Sequence, residues 1–355
     1  MQARRTLVLA ALAAWLVAGS PERGDPAARL SAADDALEYW DFVARFEQGH
    51  RLVARVLVTN EGPGDRTAVG VGHLVLPDGE VVEFRNGRLE GRWSVAPDGR
   101  SLRIGSTRLE FAGSLRTLEY DNDRRGIEFR LRFHGEAPAR FQRSGERPGY
   151  RVDLLDLSAP VDGTILLPGM SAPLAIAGRG ALAHTWMSES EPRLVLRRID
   201  FASLDAGTAM YLRDVTDPEG KNHRWLIVVR DGGVLLESND FEVALESPAG
   251  SPQTGYPVPA RLRIAAPGFA GAVSLGRTIL EHDPLGDLPQ PFRFLLSFAT
   301  RPRRVWTDSP FSLRVDAAPG RSATEIEGNG ITSVTYLNPL SSPTSDLGTG
   351  PPGAH

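Results

Sequence analysis

The residues whose types could do chemistry concentrate near the middle of the chain. Gly178-Arg-Gly-Ala-Leu-Ala-His184-Thr-Trp186 holds a His-Trp pair, and Arg197-Arg-Ile-Asp-Phe201 follows it. A histidine can donate and accept a proton, and an indole face can stabilise a cation. His184 beside Trp186 could therefore protonate a carbon–carbon double bond in a dry pocket, if Asp200 or another acid supported it through the fold. The bland reading is that His184 is packed and hydrogen-bonded at the seam between two halves. A cleft between halves is also where ligands usually bind.

Other constellations carry less. Glu281-His282-Asp283 offers three metal-ligating types, but adjacent residues of an extended chain point in alternate directions, so a solvated loop is expected. Asp121-x-Asp123 and Asp214-x2-Asp217 lack the further ligands and closing Glu of a calcium loop and read as turns. Arg301-Pro-Arg-Arg304 is a small basic cluster, expected on a surface loop where it could meet anionic headgroups. With no Gly-x-Ser-x-Gly elbow, phosphate loop or dinucleotide fingerprint, hydrolase, kinase and dehydrogenase readings are poor, and neither a cofactor nor a metal is expected.

The elements that must position these residues are strands. Leu37 to Phe46 puts Trp40, Phe42, Ala44 and Phe46 on one face, and Gly126 to Phe133 puts Ile127, Phe129, Leu131 and Phe133 on one face. Short alternating runs continue at Arg51–Thr59, Ala68–Leu76, Val81–Phe84, Leu89–Val95, Leu102–Ile104, Arg108–Phe111 and Tyr150–Leu157. They resume from Val195 to Val315, with one at Phe292–Phe298 among them. Turns such as Pro77-Asp-Gly79, Asn86-Gly87 and Pro97-Asp-Gly99 separate them. Many short strands without βαβ helices predict an all-β, antiparallel barrel or sandwich architecture.

The chain has 355 residues, more than one core usually supports, so two β units in tandem are expected. Arg4 and Arg5 precede an apolar run from Leu7 to Val17 and the small residues Ala18-Gly19-Ser20, the pattern of a cleaved export signal. Export to the periplasm or the extracellular space follows, with no transmembrane segment once the signal is removed. Losing two arginines and no acid takes the net charge from −4 to −6, which argues against a nucleic-acid partner. The chain has no cysteine, so thiol chemistry is excluded and stability must come from burial. The expected layout is a signal at 1–20, a linker at 21–36, barrels at 37–168 and 169–318, and a largely disordered tail at 319–355 that includes a short strand near Ile331–Leu337.

The opening strand Glu38-Tyr-Trp-Asp-Phe42 and the central Gly-x-Gly-x3-His-x-Trp resemble the tandem lipocalin-like superfamily. That group includes survival-factor-like proteins, carotenoid 1,2-hydratases and Diels–Alderases. Gly180-x3-His184, Arg197-Arg-Ile-Asp-Phe201 and Met210-Tyr211 look most like the survival-factor branch. Gly255-Tyr256-Pro257 resembles the second barrel of the hydratase-like branch. The resemblance implies two lipocalin-like antiparallel β-barrels in series, with a hydrophobic ligand in or between them. Trp40, Phe42, Phe129, Trp186 and Tyr211 would line its site. The hydratase-like branch carries an acid just before the basic residue of the central motif, where this chain has Ala183. Two functions stay open: an exported binding protein for a lipid or isoprenoid, and an enzyme of hydratase, cyclase or Diels–Alderase type with His184 near its site.

Overall fold

A computed structural model describes residues 25–60, 66–135, 150–231, 233–247, 249–250, 256–287, 302–316 and 322–337. The expected signal and the Phe292–Phe298 strand lie outside the described residues. The first unit holds β1 (Leu37–Phe46), β2 (Arg51–Thr59), β3 (Thr67–Val75), β4 (Val81–Arg88), β5 (Trp93–Val95) and β6 (Ser101–Ile104). It continues with β7 (Thr107–Ala112), β8 (Leu115–Asn122), β9 (Ile127–His134), β10 (Arg151–Leu166) and β11 (Leu174–Met187). These make one antiparallel sheet in the order β4-β3-β2-β1-β11-β10-β9-β8-β7-β6-β5, curled into a nearly closed barrel. Pairing the last strand with the first turns a meander into a barrel and leaves its gap between β4 and β5.

A connector with one short helix, α1 (Glu191–Leu194), leads to the second unit. Its strands are β12 (Arg197–Ser203), β13 (Thr208–Thr216), β14 (Asn222–Arg230), β15 (Gly233–Ser238), β16 (Glu242–Glu246), β17 (Ala249–Gly250) and β18 (Pro257–Val258). After these come β19 (Arg261–Ala266), β20 (Phe269–Ser274), β21 (Thr278–His282), β22 (Arg303–Val315) and β23 (Thr324–Tyr336). The order is β15-β14-β13-β12-β23-β22-β20-β19-β16, with β21 also on β22, and β17–β18 form a separate pair. Again the last strand pairs with the first, and this sheet curls into a half-barrel.

Alternation decides what each face does. The even-numbered residues of β1 point into the first barrel, where Trp40, Phe42 and Phe46 join Phe84, Phe129 and Phe133 in one core. Ile199, Phe201, Leu212, Leu262 and Phe311 form the core of the second unit. The outward faces then pack on each other: Val53, Leu154 and Ala183 of the barrel meet Ala202, Tyr211, Ile227 and Trp306 of the half-barrel. This third cluster is the seam. Arg45 reaches Asp205 and Arg51 reaches Asp308 across it, each at 2.8 Å.

Four expectations are corrected. The change of unit falls between Met187 and Arg197 rather than at 168/169, because β11 pairs with β1 over its whole length. Residues 25–36 are not a free linker; Arg29 and Leu30 donate backbone N–H bonds to Glu38 and are held against the barrel. The expected tail begins with a 13-residue strand, β23, which completes the second sheet. Asn86-Gly87, read as a turn, lies inside β4. By contrast Pro77-Asp-Gly79 does form the β3–β4 turn, where Gly79 has φ +95°.

Candidate functional site

In the β1–β11 register, Trp40 faces His184 and Glu38 faces Trp186, so all four side chains share the inner face at one end of the barrel. His184 is fully buried and stacks on Trp40, with ring centroids 4.6 Å apart. Its Nε2 lies 2.8 Å from Glu38 Oε1 and its Nδ1 lies 3.2 Å from the Asp25 carbonyl. Both ring nitrogens therefore have an oxygen partner, one a backbone carbonyl that can only accept and one a carboxylate.

Segment 25–30 closes this end. Trp40 Nε1 donates to the Pro26 carbonyl at 3.1 Å, and Glu38 accepts N–H bonds from Arg29 at 2.9 Å and Leu30 at 2.8 Å. The Arg29 guanidinium sits 4.1 Å over the Trp186 ring. A cavity of about 210 Å³ lies at this mouth, lined by Arg29, Leu30, Arg151, Trp186 and Met187 among others. The carboxylate beside His184 is thus Glu38 of the opening motif, across the β1–β11 register, and not a neighbour in sequence, where Ala183 stands. Ala183 itself points the other way, into the seam. His184 is accordingly inside the first barrel and not between the halves, as its central place in the chain suggested.

The seam has a different chemistry. A partly open cavity of about 80 Å³ lies between the sheets. One part of its wall is apolar and mostly small: Val43, Val53, Ala181, Ala183, Ala202 and Ile331. The rest is a charged ladder. Arg55 holds Asp41 through two bonds of 2.5 and 2.6 Å. Arg198 reaches Asp41 at 3.6 Å and Asp200 at 2.8 Å, and Arg213 reaches Asp200 at 2.5 Å. Glu191 of α1 closes the network, accepting from Arg198 and from the Tyr39 hydroxyl and lying 3.7 Å from Arg55.

These pairings fix charge. Burial alone would raise the Asp41 carboxyl, but Arg55 and then Arg198 hold it down at about 2. Burial works against Glu191 in the same sense and is outweighed by Arg198 and Arg55, so it too is lowered. Burial raises the Tyr211 hydroxyl well above its usual value. Arg304 differs from Arg55, Arg198 and Arg213: burial, reinforced by the charge of Arg55, brings it down to about 10.

The residues expected to line one site are only partly brought together, Phe42 and Tyr211 both bordering the seam cavity. Trp40, Phe42 and Phe129 pack in the barrel core, Trp186 stands at the barrel mouth, and Tyr211 is on the seam wall, where it donates to Asp200 at 3.1 Å. Three further readings are corrected. His282 is in β21 and not a solvated loop, and its ring meets His73 of β3 edge-on across the seam at 4.7 Å. Arg303 and Arg304 begin β22, and Arg304 lines the seam cavity. Asp214 is a buried member of β13 between Arg197 and Arg224, whereas Asp217 does make a turn, accepting from the N–H groups of Glu219 and Lys221. Sequence reasoning missed the ladder of Asp41, Arg55, Arg198 and Arg213. Its only signal was charge on the outward positions of strands, which also marks an ordinary solvated face.

No family model matches the sequence, and no curated protein matches it either. Solved structures do match over nearly the whole chain. A Nitrosomonas europaea protein described as an AttH superposes with a TM-score of 0.62 at 15% identity, covering 90% of this chain and 98% of the other. The chain has the tandem lipocalin-like fold. CghA, crystallised with Sch210972, gives 0.60 at 14% identity, covering 90% of this chain and 96% of its own. Kievitone hydratase from Nectria haematococca gives 0.54 at 11%, with 89% and 97% covered. Among the described residues no helix is long and apolar enough to cross a membrane.

Proposed function

We propose that this chain is an exported protein that binds a hydrophobic small molecule, of lipid or isoprenoid type, in the seam between its two units. The observation that carries the reading is the seam cavity, which sets a wall of small apolar side chains against a fixed polar ladder. Ligand sites of this kind are mostly apolar with a few placed polar groups, and they favour interfaces between units. At about 80 Å³ the cavity is smaller than the roughly 150 Å³ that encloses a benzene ring. It therefore seats one end of the molecule, and the rest leaves through the open side. Export rests on the N-terminal arginines and apolar run alone.

The test is a titration with cis-parinaric acid, a polyene whose fluorescence rises in an apolar site. Saturable binding is expected in the native chain. Ala181→Leu, which fills the cavity, should weaken it by about ten-fold or more. If no lipid or polyene tested binds saturably, or if filling the seam changes nothing, the reading fails.

A second reading, an enzyme acting on such a molecule, is favoured by the buried His184–Glu38 pair inside the first barrel. One structural neighbour is a hydratase, and adding water across a double bond needs a proton donor. Under this reading segment 25–30 must lift to admit substrate, and His184→Ala abolishes turnover; under the binding reading, ligand affinity is kept.

A further inference from the structure

Arg304 stands apart from the arginines around it. Arg55, Arg198 and Arg213 each lie within ion-pair distance of at least one of Asp41, Glu191 and Asp200. No described carboxylate lies within ion-pair distance of Arg304, and its buried Nε has no hydrogen-bond partner. The network thus sets four guanidinium groups against three carboxylates, and the unmatched one lines the cavity. Asp41 and Glu191 attract Arg304 from beyond ion-pair distance without offsetting its burial. A guanidinium taken out of water with no carboxylate in contact is costly, so folds rarely keep one there for stability. The register places Arg304 opposite His282, whose ring spans the seam to His73, so the strand that carries it is held in place.

We propose that Arg304 anchors an anionic head, a carboxylate, on the molecule that enters the seam, which makes the ligand an apolar organic acid. The inference rests on the seam-binding reading and names its ligand class. A guanidinium offers a planar fork that matches a carboxylate through two parallel bonds. The size of the cavity suits such a head, and Val43, Ala181 and Ile331 receive the first carbons of the tail. Asp41 and Asp200 are already engaged by Arg55, Arg198 and Arg213, so they hold those arginines in place and leave Arg304 for the ligand.

The experiment compares cis-parinaric acid with its methyl ester on the native chain and on Arg304→Gln. The acid should bind at least about ten-fold tighter than the ester to the native chain, and Arg304→Gln should remove that preference while leaving the ester unchanged. Without ligand, Arg304→Gln should melt no lower than the native chain, since it deletes an unmatched charge. Equal binding of acid and ester by the native chain would overturn the proposal. So would equal weakening of both by Arg304→Gln, or a variant that melts several degrees lower or fails to fold, because Arg304 would then be structural. A second arm uses sodium butyrate against sodium chloride at equal ionic strength. If neither polyene binds but butyrate raises the melting temperature only when Arg304 is present, the carboxylate site stands and the large apolar ligand is wrong. If butyrate also has no Arg304-dependent effect, both fall.

Discussion

His184 drew attention as a lone histidine beside a tryptophan, yet its surroundings are set by residues far away in sequence. Glu38 and Asp25 engage its two ring nitrogens, Trp40 stacks on one face, and Trp186 lies tilted against it at 4.9 Å. Replacing it with alanine leaves the Glu38 carboxyl buried without its ring partner. His184→Ala should therefore cost on the order of 3 kcal/mol in urea unfolding, with a loss near zero contradicting the anchoring role. Asp156 supplies a pH signature. Burial pushes its carboxyl from 3.8 up to about 7, against the opposing charge of Arg116, 3.3 Å away. The folded chain thus holds this proton where the unfolded chain has lost it, so stability falls as pH rises through the window from about 4 to 7. Asp156→Asn keeps the shape and cannot ionise. Relative to the native chain it should gain stability at pH 8 compared with pH 5, and an identical pH profile for both would contradict the assignment.

At the level of elements, the strands legible in the sequence are those with one dry and one wet face. β9 alternates buried and exposed at every residue, and β1 shows its inner face as Trp40, Phe42, Ala44 and Phe46. β8 gives no such pattern because Arg116 and Thr117 are buried beside Leu118; Arg116 donates to the Gly135 carbonyl and lies against Asp156. β11 hides for a related reason. It lies between β1 and β10 with both faces covered from Ala181 to Thr185, so period-two contrast disappears. Its glycines serve close approach. A Cβ on Gly178 would stand 2.1 Å from the Arg45 carbonyl oxygen, and one on Gly180 would meet Phe133. Gly178→Ala should cost more than about 2 kcal/mol by disturbing the β1–β11 pairing that closes the barrel. Gly233→Ala, whose Cβ would meet its nearest atom at 3.7 Å, should stay within about 0.5 kcal/mol. Similar losses in the two variants would show that the close approach is not what the glycine provides.

Over the whole molecule, both units use one device: a meander whose last strand returns to pair with its first. That is why the boundary sits at α1 and why β23, in a stretch rich in Gly, Ser and Thr, belongs to the fold. Composition and turn spacing made the all-β class and the two units readable. They could not say that the outward faces of the units are glued together, because a strand with two buried faces and a strand with one solvated face can carry the same charged residues. The ladder of Asp41, Arg55, Arg198, Asp200 and Arg213 becomes a feature only when the two sheets meet. The seam is then the place where the apolar surfaces of both units and an unmatched cation coincide. Native mass spectrometry, followed by organic extraction, of the native chain and Ala181→Leu purified from the protein's own host tests this most directly. The account predicts a discrete apolar acid on the native chain that is lost when the seam is filled. The same molecule on both proteins, or none on either, would contradict it.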